Sequence, residues 1–283
     1  MRSARWLSAL VLALAMAGVP AAAVARQASL SGAAGGCTTS DPQGVCGAYF
    51  YRGIFNSNGF DTYVANNCWA DPSCQQTVTA TNPGKWSVSG DEPLGNRAVK
   101  TYPNVQQLLN NWDGSGWNGP GPEADTPVSA LRFLISRYTE SMPHNSVTDA
   151  QAAYDIWLGN NGSFGREVMV WVDNVNRFSG GAPQLGTAVI FGRHWTLYGN
   201  PAGELIWSLD GAGGTGTFAQ QRSGRVHLLA LLRWLQRHGF AAAGAVIGQV
   251  DFGWEICSTG GKPETFTVSR YTLRSRCKAQ GCR

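Results

Sequence analysis

The stretch Arg166-Glu167-Val168-Met169-Val170-Trp171-Val172 decides the fold class, because its side chains alternate strictly in character. A period of two is typical of a half-buried β-strand, so the three valines are predicted to face an apolar core. Glu167, Met169 and Trp171 then share the opposite face. A carboxylate between a thioether and an indole suits the floor of a cleft better than an open solvent face. On this stretch alone, an edge strand with one solvated glutamate is the simpler interpretation.

The N-terminus predicts a secretory signal peptide over residues 1–25. Arg2 and Arg5 form a basic start, and the apolar run that follows, 6–18, is too short to span a bilayer. Ala23-Val24-Ala25 has the small residues of a cleavage site. The mature protein is therefore expected to be secreted, with no membrane contact after cleavage.

The rest of the chain is expected to form one domain. We predict a flexible lead-in over 26–36, an all-β domain over 37–277 and a basic tail over 278–283. Charged residues make up 14% of the chain, which holds 36 Gly and 11 Trp, a composition often found in proteins that bind neutral polar ligands such as carbohydrates. The body is near-neutral, so nucleic acid is not an expected partner. The basic residues near the C-terminus are Arg270, Arg274, Arg276, Lys278 and Arg283.

The seven cysteines of a secreted chain indicate disulfides and one remaining thiol. We favour a bond between Cys46 and Cys74, which bracket the Asn66-Asn67 segment, and expect Cys257 to be the thiol. The four histidines form no metal-binding motif, and we predict neither a metal nor a cofactor.

Short alternating runs divided by Gly, Pro, Asn and Asp predict a β-sandwich. One helix is predicted from an apolar stripe at 226–235, capped by Ser223 and ended by His238 and Gly239, and we expect it to pack on a sheet. The predicted strands are 49–54, 61–69, 77–80, 99–102, 128–136, 152–158, 167–172, 188–191, 195–198, 204–208, 244–257 and 265–274.

Carboxylates recur on the predicted strands. If 154–158 and 166–172 pair as a hairpin in an even register, Asp155 and Glu167 lie on one face within cross-strand reach. The later strand puts Asp251, Glu255 and Cys257 on one face, where Gly253 would leave room for a ligand. Asp251 is interpreted as structural. Two glutamates that face each other across a groove are the machinery of glycoside hydrolysis.

Five sequence blocks follow one another along the chain: Asn66-Asn67-Cys68-Trp69, Lys100-Thr101-Tyr102-Pro103-Asn104, Tyr154-Asp155-Ile156-Trp157-Leu158, Glu167-Val168-Met169-Val170-Trp171 and Gly253-Trp254-Glu255-Ile256-Cys257. In this order they resemble glycoside hydrolase family 12, whose members are secreted endo-β-1,4-glucanases. The resemblance covers about residues 49–273. It implies a jelly-roll β-sandwich of two curved antiparallel sheets, with one packed helix and an open cleft on the concave sheet.

The resemblance also implies residue roles. Glu167 matches the family's nucleophile, Glu255 its acid/base, and Asp155 the carboxylic side chain that hydrogen-bonds the nucleophile. Two positions depart from the family pattern: Cys257 replaces an aromatic residue, and Cys68 a larger side chain. The predicted substrate-binding residues are Asn67, Trp69, Met169 and Trp171.

The expected activity is retaining, endo-acting hydrolysis of a β-1,4-glucan by a monomer. A non-catalytic carbohydrate-binding protein on the same sandwich is the alternative from another class, although binding alone gives no reason to oppose two glutamates. A related jelly-roll xylanase is the closer alternative, and the Asn-Asn-x-Trp block argues against it.

Overall fold

The computed structural model describes residues 37–42, 44–51, 60–68, 70, 74–94, 97–108, 126–160, 163–176 and 182–278. The predicted signal peptide, the lead-in, Trp69 and most of the basic tail lie outside these residues. Within the described ranges, the model contains no helix that is long and apolar enough to cross a membrane.

Sixteen strands and one α-helix, α1 at Leu228–Arg237, form the described chain. Most strand boundaries fall where Gly, Pro or Asn interrupts an alternating run. The strands are β1 Cys37–Thr39, β2 Val45–Tyr51, β3 Phe60–Ala65, β4 Gln76–Asn82, β5 Lys85–Gly90, β6 Asn104–Leu108, β7 Thr126–Pro127, β8 Leu131–Ser141, β9 Thr148–Asn160, β10 Ser163–Val175, β11 Gln184–Ile190, β12 Arg193–Gly199, β13 Leu205–Leu209, β14 Ser223–Val226, β15 Val246–Thr259 and β16 Glu264–Cys277.

The strands form two packed sheets, which confirms the predicted sandwich. The outer sheet has six strands in the order β1-β4-β5-β16-β8-β14. The cleft sheet has ten strands: nine follow the order β11-β12-β13-β10-β9-β15-β6-β3-β2, and β7 pairs with β15. The long β10 is therefore an interior strand, and the edge-strand interpretation of its glutamate is wrong.

The pairing of β10 with β13 departs from the expected antiparallel sheets, because these two strands run parallel. The cause is the path of the chain. After β10 the chain reaches β11 at the edge and returns through two antiparallel pairings, so that β13 arrives in the direction of β10.

The core between the sheets consists of the inward residues of the alternating strands. Val168, Val170 and Val172 are buried in it, as predicted. Aromatic rings join the two sheets: Trp86 of β5 lies 4.9 Å from Trp254 of β15, measured between ring centroids. Burial of such side chains contributes about 1.5–3 kcal/mol each, so this layer is the main source of stability.

The helix forms within the predicted stretch, but it begins at Leu228, later than a cap at Ser223 would allow. Its leucines are buried in the core, and Trp234 packs against Trp207 at 4.9 Å between ring centroids. The predicted cap was wrong: Ser223 begins β14, and His227 precedes the helix without a side-chain capping bond. The helix ends at His238, and Gly239 follows with φ +77°, as a C-terminal glycine signal predicts.

Several predicted strands are shifted. The strand predicted over 99–102 is reduced to a single bridge at Thr101, and the true strand, β6, follows Pro103. Proline lacks the N–H that a ladder needs, so pairing resumes after it. Residues 66–68 are not in a strand, and residues 128–130 form a 3₁₀ turn before β8. Strands β1, β5, β7 and β14 have no counterpart among the predicted strands.

The disulfides differ from the prediction. Cys46 pairs with Cys37 and Cys74 pairs with Cys68. The first bond joins β1 of the outer sheet to β2 of the cleft sheet. The second closes the segment that follows Asn67, and explains why a cysteine stands at position 68. Cys257 is a buried thiol outside both bonds, as expected.

Candidate active site

The hairpin of β9 and β10 brings the first two predicted residues together. Asp155 lies opposite Met169, and Glu167 lies opposite Trp157. Opposed residues of an antiparallel pair point to the same face, so all four side chains lie on the face away from the valine core. Asp155 and Glu167 are diagonal neighbours and share a hydrogen bond. The even register predicted from the sequence is confirmed.

Glu255 reaches the same face from the other side of β9. In the pairing of β15 with β9, Asp251 lies opposite Asp155 and Glu255 lies opposite Gln151. The Gln151 side-chain amide donates a hydrogen bond to Glu255 Oε2. Glu167 and Glu255 therefore flank β9 at different levels, with Asp155 between them.

Two of the carboxyl groups are fully enclosed. Burial raises the pKa of Asp155 well above its usual range, and the charges of Glu167, Glu255 and Asp251 raise it further. Burial also raises the pKa of Asp251, although a hydrogen bond from Gln249 opposes the shift. Like charges in a low dielectric oppose one another's ionisation, so the surroundings of Asp155 favour its protonated form, in which it can donate to Glu167.

Glu167 is the more easily ionised member of the pair. Burial raises its pKa to about 7, and Glu204 in the turn before β13 raises it by charge repulsion. The hydrogen bond with Asp155 acts in the opposite direction and lowers it. The hydrogen bond between the two carboxyl groups therefore favours a proton on Asp155 and a negative charge on Glu167.

Gly253 serves a purpose other than the predicted one. A Cβ at this position would lie 2.0 Å from the Pro103 carbonyl oxygen and 2.7 Å from the Asn104 Cα. The glycine therefore admits the backbone of the neighbouring segment, and the expectation that it leaves room for a ligand is wrong. This close approach brings Tyr102 among the carboxyl groups.

Tyr102 is a buried neighbour of the carboxyl groups. Its phenol donates to the Ala153 carbonyl oxygen at 3.2 Å, and Ala153 lies opposite Gly253 and two residues from Asp155. Burial raises the pKa of Tyr102, followed by the charges of Asp155, Asp251, Glu255 and Glu167. The raised pKa keeps the phenol neutral, so it adds no charge to this neighbourhood.

Hydrogen bonds hold the Asn66-Asn67 segment next to Tyr102 and, through Lys100, close to β15. Asn66 is fully buried, and Gln76 donates to its Oδ1 at 2.8 Å. Asn67 adopts φ +47°, a conformation that asparagine tolerates. Its carbonyl oxygen accepts from the Tyr102 N–H at 3.0 Å and from Thr101 Oγ1 at 3.1 Å. Lys100 N–H donates in turn to the carbonyl of Ile256, beside Glu255.

Met169 and Trp171 lie on the predicted face but under other side chains. Their exposed fractions are 1% and 3%. They pack with Ala153, Tyr198 and Ile206 into a small apolar cluster, and Phe218 lies 6.0 Å from Trp171 between ring centroids. Direct contact of either residue with substrate stays a prediction.

Sequence reasoning missed Gln151, Tyr102 and Glu204. Gln151 lies four residues before Asp155 on the same alternating face, but the strand was predicted to start after it. Tyr102 was placed in a strand, and Glu204 carries no motif. Cys257 occupies a bulge between Ile256 and Ser258, which interrupts the alternation that was expected to carry it onto the glutamate face.

The described residues contain no cluster of His, Cys, Asp or Glu suited to a metal ion. Carboxyl groups whose pKa values are raised by burial lie together on one sheet face. An acidic face of this kind on a two-sheet sandwich is typical of glycoside hydrolases of the jelly-roll class. The sequence matches the profile of glycosyl hydrolase family 12 over residues 61–275, and the chain belongs to that family.

Solved structures of the family share the fold at low sequence identity. The xyloglucanase domain of NopAA from Sinorhizobium fredii, in complex with cellobiose, is 21% identical with a TM-score of 0.61, covering 85% of this chain and 99% of that one. Endoglucanase 3 from Trichoderma harzianum is 20% identical, with a TM-score of 0.64 and coverages of 87% and 100%. Endoglucanase cel12A from Rhodothermus marinus is 14% identical, with a TM-score of 0.65 and coverages of 86% and 100%. None of the curated proteins compared with the chain shows significant similarity to it.

Proposed function

We propose that the protein is a secreted, endo-acting, retaining hydrolase of β-1,4-glucan backbones. The observation that carries this proposal is the grouping of Asp155, Glu167 and Glu255 on one face, with a hydrogen bond between the first two. Family membership and the similar structures, which include xyloglucanases and endoglucanases, support the substrate class. They also favour a glucan over the xylan of the alternative considered above.

In the proposed mechanism, Glu167 attacks the anomeric carbon while Glu255 protonates the leaving oxygen. The glycosidic bond breaks and a glycosyl ester with Glu167 forms. Glu255, now ionised, removes a proton from water, and the water oxygen displaces Glu167 with net retention. Asp155 stabilises the ionised Glu167 by donating a hydrogen bond, and Gln151 orients Glu255.

A buried carboxyl cluster argues against a purely binding role. Each enclosed acid carries a desolvation cost that lowers stability, and a lectin would gain nothing from it. An enzyme uses the same environment to separate the pKa values of two acids. If the protein only binds carbohydrate, replacing Glu167 by glutamine should leave its carbohydrate binding unchanged, and there is no turnover to lose.

The substrate is tested with carboxymethylcellulose, mixed-linkage β-glucan, xyloglucan and xylan. We expect a rapid fall in viscosity with little early reducing sugar on at least one glucan, and weaker activity on xylan. Binding of these polymers without turnover would contradict the proposal and favour the lectin.

Stereochemistry tests the assignment of the two glutamates. Retention requires carboxyl groups about 5–5.5 Å apart, and inversion about 6.5–9.5 Å. Since Glu167 and Glu255 lie at different levels of β9, curvature of the cleft sheet has to bring them together. Proton NMR of early product should show the β-anomer first. With an activated aryl glycoside as substrate, azide should restore turnover in both alanine variants. Glu255→Ala should then release a β-glycosyl azide, and Glu167→Ala an α-glycosyl azide. Early α-product would overturn the nucleophile assignment.

A further inference from the structure

We propose that the outward side of the outer sheet is a second binding surface, specific for carboxylate-bearing polysaccharides such as polyuronates. This arginine face is defined by Arg137, Arg225, Arg270, Arg274 and Arg276. It lies on the opposite side of the sandwich from the acidic cleft. It accounts for the C-terminal run of basic residues, which the proposed hydrolase chemistry does not use.

The register of three strands gathers the five arginines. On β16, Tyr271 and Leu273 are buried while Arg270, Arg274 and Arg276 are exposed, so these arginines point outward. On β8, Arg137 lies opposite Thr272 of β16 and opposite Arg225 of β14. Neighbouring strands are about 4.8 Å apart and alternate residues about 6.6 Å, so the guanidinium groups form a grid that an extended chain can follow.

The arginine face carries no compensating negative charge in the part of the chain that the structure describes. None of its five arginines forms an ion pair there. Phe133 and Ile135, opposite Arg276 and Arg274, are half-buried between them. Lys85 and Arg132 are also exposed on strands of this sheet. Many of its other outward side chains are short and hydroxylated: Thr38, Thr77, Thr79, Ser87, Ser89, Thr139, Thr265 and Thr267. Arginines without neighbouring acids attract a polyanion, and they repel one another when no polyanion is bound.

A cavity of about 380 Å³ lies where the arginine face meets the edge strand β14. Arg225, Arg193, His227 and Phe191 line it. The Phe191 ring is 70% exposed and stacks on His227 at 3.6 Å between centroids. Arg225 and Arg193 line the same cavity as His227, and their charges add to the effect of burial in lowering the pKa of the imidazole. Stacked rings beside guanidinium groups suit a sugar ring that bears a carboxylate.

The chemistry of the face favours a carboxylated polysaccharide over other polyanions. Arginine binds carboxylate as a planar, two-pronged donor, whereas lysine acts as a point charge. A membrane-binding face would expose large apolar side chains among its cations. A surface for single-stranded nucleic acid would offer aromatic platforms along the groove. Among the described strands of this face, the outward apolar residues are Phe133 and Ile135, each half-buried beside an arginine, and the exposed Phe191 ring lies at the edge, stacked on His227. These rings form neither a continuous apolar surface nor a row of platforms along the arginines.

This inference rests on the proposed function. An enzyme that binds an acidic polymer through its outer sheet keeps the cleft on the opposite side free for neutral glucan. Binding and turnover are nevertheless measured separately. Absence of turnover in the wild-type protein would contradict the proposed function alone, and absence of polygalacturonate binding in the wild-type protein would contradict this inference alone.

The test uses the full mature protein and measures binding to polygalacturonate by calorimetry at low and physiological salt. Fully methyl-esterified galacturonan is the matched probe, because it keeps the backbone and lacks the charge. We expect Arg270→Gln/Arg274→Gln to weaken binding to polygalacturonate by about tenfold at low salt. Arg237→Gln/Lys262→Gln, which removes two exposed cations elsewhere, should leave it within about twofold. Both double variants should turn over soluble β-glucan as the wild type does.

Three outcomes would overturn the inference. Equal binding of the methyl ester would show that carboxylates are not recognised. Equal weakening in the control variant would show that net charge alone is responsible. Tighter binding of single-stranded DNA, or of vesicles containing phosphatidylserine, at matched charge concentration would assign the arginine face to another partner.

Discussion

The side chain of Glu167 is subject to opposing influences whose balance sets its charge. Burial and Glu204 raise its pKa to about 7, and the hydrogen bond with Asp155 lowers it. If Glu167 is the nucleophile, its ionised fraction limits the rate on the acid side. We therefore expect kcat/KM to fall as the pH drops through about 7, and the position of this acid limb to report the surroundings of Glu167.

The first prediction concerns Asp155. Asp155→Ala removes the hydrogen bond that favours ionised Glu167, so the acid limb of kcat/KM should move to higher pH and kcat should fall about 10–100-fold. Asp155→Asn keeps an N–H donor at this position and should retain more activity, with a smaller displacement of the acid limb. A limb that moves to lower pH in the alanine variant would contradict a protonated donor, because it would mean that Asp155 acts through negative charge.

At the scale of elements, β15 is positioned by its close approach to the segment before β6. Gly253 makes this approach possible, and Trp254 N–H donates to the Pro103 carbonyl at 3.2 Å. The Tyr102 N–H donates to the Asn67 carbonyl oxygen at 3.0 Å, so this approach also ties the Asn67 segment to the strand of Glu255.

The second prediction follows from this contact. Gly253→Ala places a methyl group 2.0 Å from the Pro103 oxygen, so the backbones have to separate. We expect the free energy of unfolding to fall by about 1–3 kcal/mol in urea denaturation, with a loss of activity. Gly165→Ala is the control, because a Cβ there meets nothing within 4 Å. Equal stability of the two variants would contradict the tight approach.

A second buried acid pair lies in the core, away from the cleft. Glu140 of β8 accepts a hydrogen bond from Trp254 Nε1 at 3.0 Å, and Asp173 of β10 contacts His144 Nε2 at 3.0 Å. Burial raises the pKa of Glu140 to about 9, and the neighbouring Asp173 carboxyl adds to the shift. The folded protein therefore holds a proton on Glu140 at neutral pH.

The third prediction is a dependence of stability on pH. Because the pKa of Glu140 is higher in the folded state than its usual value of about 4.5, the folded state binds more protons between pH 4.5 and 9. Stability from this group is complete below that window and is lost as the pH rises through it. Glu140→Gln should be more stable than the wild type at pH 9, by about 1–3 kcal/mol, and similar at pH 5. Glu264→Gln is the control, and an unchanged pH dependence in Glu140→Gln would contradict the assignment.

At the scale of the whole molecule, the two disulfides have different tasks. Cys37–Cys46 connects the outer sheet to the cleft sheet, whereas Cys68–Cys74 closes a short segment beside Asn67. The first bond constrains the sandwich, and the second constrains the predicted sugar-binding end of the cleft.

The fourth prediction separates these tasks. Cys37→Ala/Cys46→Ala should lower the free energy of unfolding by about 2–3 kcal/mol, the value expected for a loop of this length, with little change in kcat/KM. Cys68→Ala/Cys74→Ala should raise KM, because the Asn67 backbone loses its neighbouring constraint. Thermal unfolding and steady-state kinetics on one soluble glucan measure both effects. A pattern in which the first pair alters KM and the second does not would contradict the division.

Much of the architecture was predictable because it depends on short stretches of sequence. Strict alternation at 166–172 defined a strand with valines inward and Glu167 outward, and an apolar stripe ended by Gly239 defined the helix. The five ordered blocks then indicated the family. These predictions hold because periodicity and turn chemistry act between residues that are close in the chain. For the same reason, missing one strand does not alter the prediction of the others.

The tertiary structure alone decided what depends on register and strand order. A shift of one residue moves a side chain to the other face of a sheet, so the bulge at Cys257 and the place of Gln151 opposite Glu255 could not be inferred from alternation. Pairing of Cys37 with Cys46 required knowing which strands lie at the sheet edges. Likewise, Arg137 and Arg225 join the C-terminal arginines because β14, β8 and β16 are neighbours in space, although they are far apart in the chain.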